Sequence, residues 1–397
     1  MRVTHLAPSA QLGGAENVIL ACIAVGDGWP GAESSLVALG SGPLLLAAES
    51  LGARASFVEP PDSLTSLGDS FTNAGSVVRG LLPVATALPR FVRLFSRTVS
   101  ALLPQVIHSH GIKTHVLGAL LPRSVPVVWH VHDYLGTRAV SSRLLRLLAG
   151  RCALVIAVSE SVAEDARRCL PATVPVVVVH NAVDCERFSP DGPAIDLDRA
   201  CGLPPAAPGT MRIGMPATFA RWKGHDTFLK AIAQLHGPPV RAYVIGGALY
   251  KTHSSQWAES ELREMAATLD LNGRIGFSGF LEDMPSVYRS LDIVVHASTR
   301  AEPFGLVIAE AMACGRAVVA APTGGARELF TDGEHALAAP SSNVDALATA
   351  LARLVRSPQE RIALGRRARA HVLSSFNRDR FASALHAALS QLDVRPS

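Results

Sequence analysis

MRIGMPATFARWKGHDTFLKAIAQL, residues 211–235, reads as a buried strand, a glycine-containing loop and an amphipathic helix. It follows DCERFSPDGPAIDLDRACGLPPAAPGT (184–210), which is rich in Pro, Gly and Asp and has little periodicity, as a linker or peripheral segment would. Beyond residue 235 the alternation continues. RAYVIGG, RIGFSGF, DIVVHAS and RAVVAAP are strand candidates, separated by the helical patterns ESELREMAATL, MPSVYRSL and FGLVIAEAMAC and followed by VDALATALARLV. Before residue 184 the same rhythm appears. RVTHLAP, SSLVALG, ASFVEP, VIHSH, VPVVWHVH, ALVIAVS and VPVVVVH alternate with helical stretches such as ENVILACIAV and ESVAEDARRCL. Strand–helix alternation with short connections implies parallel sheets covered on both faces. The chain of 397 residues therefore reads as α/β, with two doubly wound units and a cleft expected between them.

Composition narrows the classes. No apolar run approaches the ~18 residues of a membrane helix, and MRVTHLAP lacks the zones of a signal peptide. Six cysteines are scattered without a CxxC or a Cys/His cluster, which suits reduced thiols in a cytoplasmic protein. Between Phe71 and Ser159 ten basic residues (Arg79, Arg90, Arg93, Arg97, Lys113, Arg123, Arg138, Arg143, Arg146 and Arg151) face Asp133 alone. Such an excess favours an anionic partner, here a membrane surface or a lipid phosphate. Nucleic acid is not expected, because neither a stacking platform nor a binding motif is evident. Asp196-Leu-Asp198 lies in the linker and reads as solvated. GSGP at 40–43 lacks the third glycine and the following helix start of a dinucleotide fingerprint, which counts against a dehydrogenase.

In open α/β sheets ligands bind beyond the carboxyl ends of the strands, against helix N-termini. There the segment TRAEPFGLVIAEAMACG (299–315) carries two acids eight positions apart. Pro303 suits a first helical position and pushes Glu302 into extended backbone outside the helix. The amides of Gly305, Leu306 and Val307 then fall in the first turn, a ready anion site. Glu310 follows in the second turn and leans back toward the helix mouth. A carboxylate repels phosphate but grips paired hydroxyls. The pattern thus suits a nucleotide, with phosphates on the amides, ribose on Glu310 and a further hydroxyl-bearing group on Glu302.

EPFGLVIAEAMACG resembles the paired-glutamate signature of the retaining glycosyltransferases of family 4 (glycosyltransferase group 1, GT-B fold). Supporting pieces occur in order: LGGAE, WHVHDY, VSES, HNAVDCERF, RWKGHDTFLKA, VIGG, FSGFLEDMPSVY and PTGGARELF. The resemblance implies two Rossmann-like domains, an N-terminal acceptor-side domain over 1–185 that regains a terminal helix at 376–397, and a donor domain over 186–375. It implies a catalytic role for Glu302, for Lys223, which neutralises the leaving diphosphate, and for His132, which contacts the donor sugar. His130 is the alternative to His132 on the same strand face. The donor would be held by Gly14, Arg221, Lys223, Phe304, Gly305, Leu306, Val307 and Glu310, and the acceptor side lined by Gly13, His110 and His130. An arginine common in the family six residues before the lysine is absent, since that position is Ala217, and Arg221 is the nearest substitute. Neither a cofactor nor a metal is implied, because cations and helix amides supply the charge. A UDP- or GDP-linked sugar is the expected donor, a glycan or lipid-linked molecule the acceptor, and the inner face of the membrane the place of work. The rival readings are a sugar-nucleotide epimerase, for which no cluster of acids and histidines is evident, and a non-catalytic partner of the same fold.

Overall fold

The computed structural model describes residues 1–29, 31–61, 74–248 and 255–392, except the side chains of 74–86. Arg79, one of the ten basic residues, lies outside the described side chains, as do residues 393–397 of the expected terminal segment. The chain divides into two compact units, Met1–Ala182 with Arg378–Ser397, and Val183–Asn377.

The first unit is built on β1 (Arg2–Ala7), β2 (Glu33–Leu39), β3 (Arg54–Val58), β4 (Val106–His110), β5 (Val127–Val131), β6 (Cys152–Ala157) and β7 (Val176–Val178). They form one parallel sheet in the order β3-β2-β1-β4-β5-β6-β7. Central strands such as VVWHV are buried at every position, as expected for a sheet covered on both faces. The second unit carries β8 (Met211–Pro216), β9 (Val240–Ile245), β10 (Ile275–Phe277), β11 (Ile293–His296), β12 (Ala317–Ala320) and β13 (Leu337–Ala338), in the order β10-β9-β8-β11-β12-β13. Its core joins Ile213, Met215, Val244, Val295 and Val319 of the sheet to Phe228, Ile232 and Leu351 of the covering helices. In both sheets the direction of strand addition reverses once, between β1 and β4 in the first and between β8 and β11 in the second. Loops after strands that flank such a switch point open a crevice for ligands.

Three expectations need correction. The helix after Glu302 runs Leu306–Ala313 and not from Pro303, because Gly305 takes a left-handed cap conformation (φ 101°) that ends the extended entry. Asp198 is not solvated. It is buried and accepts hydrogen bonds from Arg241 (2.9 Å), Tyr243 (2.8 Å), Arg212 (3.2 Å) and the amide of Ala206 (2.9 Å), so the Pro/Gly-rich segment is pinned to β8 and β9. Its neighbour Asp196 caps the short helix Leu197–Ala200. A helix also does start after GSGP, at Pro43 with Gly42 as its cap, since proline is well placed at a first helical position. The two-residue β13 was not anticipated, being too short to show a period.

At the far end, the helix Arg378–Leu389 packs on the first unit. A Cβ on Gly28 would lie 2.5 Å from the carbonyl of Ala382 and 2.6 Å from the amide of His386, so only glycine fits between turn and helix. The rings of Trp29 and His386 meet at 4.3 Å beside this contact.

Candidate active site

In the second unit the loops after β8 and β11 come together. Gly224 follows the short 3-10 turn Arg221–Lys223 with φ 81°, and a Cβ there would stand 2.0 Å from the carbonyl of Ala297. The missing side chain lets the two backbones touch. Thr299 stitches the seam, its amide donating to the carbonyl of Trp222 at 2.7 Å and its hydroxyl at 3.1 Å. This places the Lys223 ammonium 2.8 Å from Glu302 Oε2. Glu302 is held in extended backbone, as Pro303 demands. Its amide donates to Thr323 O (3.3 Å) and its carbonyl accepts from the amide of Gly325 (2.7 Å).

The same Oε2 lies 3.1 Å from His296 Nε2 and accepts from Ser298 Oγ at 2.9 Å. Burial alone would raise the carboxyl of Glu302. The Lys223 charge, then the His296 hydrogen bond, outweigh it and hold the group well below the usual carboxylate range. Glu302 is therefore an anion with its charge met by a cation that a ligand could recruit. The helix mouth follows at once. Its first intrahelical bond runs from the amide of Ile308 to Gly305 (2.9 Å), so the amides of Leu306 and Val307 precede the ladder. Phe304 is buried against Phe376 at that entry.

Glu310 behaves differently. It accepts a hydrogen bond from Tyr288 Oη at 2.8 Å. Burial pushes its carboxyl up to about 7, and the Tyr288 bond and the Arg187 charge offset this only in part. Two acids on one segment thus have opposite characters, one firmly ionised beside a cation and one held by burial nearer its neutral form. Arg221 is engaged elsewhere. Its guanidinium bonds Glu261 (2.9 Å) and lies 3.8 Å over the ring of Trp257. Ala217, by contrast, contributes only its backbone, which Gly246 approaches closely enough to exclude a Cβ.

In the first unit Gly13 caps the helix Gly14–Ala24, and Gly111 (φ 101°) caps the helix after β4. His110, His130 and His132 share one face across β4 and the end of β5, with the rings of His130 and His132 stacked at 4.4 Å. They belong to one buried cluster with His5, His108 and Asp27, an association of histidines with an acid that was not evident from the sequence because it forms only across β1, β4 and β5. Burial lowers the pKa of His132 to about 3, with His108 adding to the effect, so its ring is neutral. The sequence reading did not single out His296, Ser298, Tyr288 or Asp27. The HAS triplet at the end of DIVVHAS could have flagged the first two, since it ends a strand beside the switch point. Tyr288 sits inside a helical pattern and carries no signal.

Comparison with known proteins places these features in a context. Residues 206–371 match the family model described as glycosyl transferases group 1, and residues 29–187 that described as glycosyltransferase family 4. The chain is 30% identical over 292 residues to the lipopolysaccharide core biosynthesis mannosyltransferase LpsB of Rhizobium meliloti (strain 1021), covering 64% of this chain and 81% of LpsB. It is 33% identical over 220 residues to LpcC of Rhizobium leguminosarum bv. viciae, a mannosyltransferase of the same description, covering 55% of this chain and 60% of LpcC. The chain thus spans less than two thirds of LpcC. Among solved structures, Anabaena HepE in complex with UDP superposes with a TM-score of 0.80 at 25% identity, covering 99% of this chain and all of that one.

Proposed function

The chain belongs to the group 1 glycosyltransferases, and from that premise we propose that it moves a sugar from a nucleoside-diphosphate sugar to a hydroxyl of a glycan or lipid-linked acceptor. The observation that carries the reading is the Lys223–Glu302 pair set at a helix mouth with Glu310 behind it. In this reading the amides of Gly305, Leu306 and Val307 and the ammonium of Lys223 take the diphosphate. Fixed dipoles and a cation aimed at developing negative charge stabilise its departure. Glu310 grips the ribose and Glu302 a sugar hydroxyl. Arg221 joins the diphosphate by leaving Glu261, which makes it the substitute for the arginine absent at Ala217. Within the first unit, Gly13 and Gly14 after β1 and His110, His130 and His132 at the ends of β4 and β5 are the residues we assign to sugar and acceptor. Transfer proceeds with retention and without a metal, since the positive charge needed is already present in side chains and amides.

UDP in the HepE complex supports a nucleotide donor, and a UDP- or GDP-linked sugar is the donor class we assign. The names of LpsB and LpcC support a place in cell-envelope polysaccharide or glycolipid synthesis. A panel of UDP-, GDP- and ADP-sugars, scored by thermal shift and by donor hydrolysis, tests the proposal. An epimerase would instead interconvert the sugar without releasing nucleotide, and a non-catalytic partner would bind without turnover.

Nucleotide binding should also release a proton. Glu310 has a folded pKa raised above its unfolded value, so the folded state holds the proton more tightly and this group's contribution to stability is lost as pH rises from about 4.5 to about 7. Hydroxyls donating to the carboxylate pull that pKa back down. Calorimetry near pH 6.5 in buffers of different ionisation enthalpy should show a fraction of a proton released on binding, and none in Glu310→Gln. Equal release by both proteins would remove Glu310 from the site.

The acceptor side has its own test. The helix Ala139–Leu148 exposes Val140, Leu144 and Leu147, the last at 83%, beside exposed Arg143 and Arg146. An outward apolar stripe flanked by arginines suits shallow insertion into an anionic membrane surface. No described helix is long and apolar enough to cross a membrane. Binding to anionic vesicles should weaken with salt and fall about tenfold or more in the Leu144→Glu/Leu147→Glu variant, from the lost apolar area and added repulsion. Equal binding to neutral vesicles at low salt would contradict it.

A further inference from the structure

Two His-x-His pairs stand on neighbouring strands of the first unit. His108 and His110 close β4, and His130 and His132 lie at the end of β5. The parallel register sets His110 beside His130, and side chains two residues apart share a face, so the four rings gather on one side of the sheet. β1 adds His5, in register with His108. The turn Gly26-Asp27-Gly28 adds a fully buried carboxylate. Its Oδ2 lies 3.1 Å from His5 Nε2 and its Oδ1 3.5 Å from His108 Nδ1.

Asp27 sets the proton positions in this cluster. Burial would raise its carboxyl, but His5 and His108 beside it hold it well below the ordinary carboxylate range. An ionised carboxylate only accepts, and a neutral imidazole has one donor and one acceptor nitrogen. With neutral rings, His5 donates from Nε2 to Asp27 and accepts at Nδ1 from His110 Nε2, 3.1 Å away. His108 turns its Nδ1 proton toward Asp27 and accepts at Nε2 from His130 Nδ1, 3.2 Å away. Two lone pairs are left over, on His110 Nδ1 and His130 Nε2. The first meets His132 Nε2 at 2.9 Å. The second is buried with no hydrogen-bond partner among the described residues, and so is His132 Nδ1. Buried polar atoms are rarely left unpaired, and these two call for a partner.

We propose that His110, His130 and His132 form a binding site for a divalent transition metal, with zinc as the ion they suit best. One nitrogen of each lies within 4.8 Å of those of the other two. Ligand nitrogens around tetrahedral zinc stand about 3.3 Å apart, so the rings must close by at most about 1.5 Å. Burial lowers the pKa of all three rings, so each is neutral, the form that binds a metal. Their remaining nitrogens are held as those of metal-bound histidines usually are, His110 through His5 to Asp27 and His130 by His108. His132 completes the set, since a neutral ring carries its proton on either nitrogen. It is also partly exposed, which gives an ion a way in. Two other groupings are as close, His5 with His108 and His110, and Cys22 with His108 and His130. Both are wholly buried, and burial pushes the Cys22 thiol away from the thiolate a metal needs. Three imidazoles without a carboxylate favour zinc or copper over magnesium or calcium, and three protein ligands leave the fourth position of zinc open. On the transferase reading the same three residues are assigned to sugar and acceptor. A bound ion would then hold transfer off, acting as a brake and not as a cofactor, and this consequence alone rests on that reading.

The test uses the full chain without a polyhistidine tag, stripped of metal by a chelator. Titration with Zn²⁺ alone should show one equivalent bound and a rise in Tm. Co²⁺ should give the intense visible absorption of tetrahedral coordination, lost when Zn²⁺ is added. His132→Ala and His130→Gln should each weaken binding at least tenfold, since loss even of a residue that only supports a ligand costs about 10- to 100-fold. The double variant His335→Ala/His371→Ala removes the stacked pair of the second unit, whose rings meet at 4.0 Å, and should bind as wild type does. The proposal is overturned if neither ion binds stoichiometrically, or if Co²⁺ shows only the weak absorption of octahedral coordination. It is also overturned if both single variants bind as wild type does, or if binding is lost with His335 and His371 instead. Binding is read without donor or acceptor, so a protein that takes zinc and turns over no sugar nucleotide would fault the proposed function alone. Transfer at full rate with zinc bound would overturn the brake.

Discussion

Lys223→Met will lower sugar transfer by about 10²- to 10³-fold, the range seen when a preorganised electrostatic group is removed from a transition state. It will also destabilise the fold by about 3 kcal/mol, because it strands a buried carboxylate. Both effects trace to the 2.8 Å contact with Glu302. Lys223 opposes the burial that would otherwise raise the pKa of Glu302, so its loss returns that pKa upward. The sign of the pH effect follows. A carboxyl with a depressed folded pKa contributes stability above its unfolded value and loses it as pH falls, so the variant should lack much of this acid-dependent loss and its stability deficit should close as pH falls below the ordinary carboxylate range. Adding Glu302→Gln should restore most of the stability and none of the activity. Restored activity in the double variant would make Lys223 a structural cation only.

Gly224→Ala comes next in size. Its left-handed backbone costs about 1 kcal/mol for any residue with a Cβ. The overlap with the carbonyl of Ala297, 2.0 Å away, adds about 1–3 kcal/mol, as overpacking does elsewhere. Both sides of the contact are backbone, so neither can rotate away, and relief must come from opening the seam that Thr299 closes on Trp222. Lys223 is the adjacent residue. Nucleotide affinity should therefore fall together with unfolding stability. Gly333→Ala is the control, with φ 74° and nothing within 4 Å of its added Cβ, and it should cost only the backbone term. Equal losses at the two positions would remove the close approach from the explanation.

Much of this was legible in the sequence for physical reasons. β5 (VVWHV) and β11 (IVVH), which carry loops of the site, are short runs rich in β-branched residues, and period and composition mark such runs well. Pro303 announced the extended backbone of Glu302, because proline constrains its predecessor wherever it occurs. Gly305 was the limit of that argument. Its positive φ moved the helix start three residues beyond Pro303, and nothing local distinguishes a glycine inside a first turn from one that caps it. Asp198 misled for the opposite reason. A Pro/Gly-rich neighbourhood looks solvated, while its partners Arg241 and Tyr243 lie more than 40 residues away and appear only once β9 is in place. The buried histidine cluster was half visible. HSHG and WHVHD each stand out at a strand end, but His5 joins them only through the register of β1 with β4, and Asp27 only through its 3.1 Å contact with His5.

The central claim, that the segment around Glu302 and Glu310 is a nucleotide-sugar donor site, is tested most directly by titrating UDP and GDP into the wild-type protein and into Glu310→Ala under the same conditions. The melting temperature of wild type should rise with one of them, by an amount that corresponds to about 2.7 kcal/mol at a hundredfold excess over Kd. The variant should show at least a tenfold weaker response, as expected when a charge-assisted bond to the ribose is lost. If neither nucleotide stabilises the wild-type protein, or if Glu310→Ala responds as wild type does, the donor site is not where Glu302 and Glu310 stand.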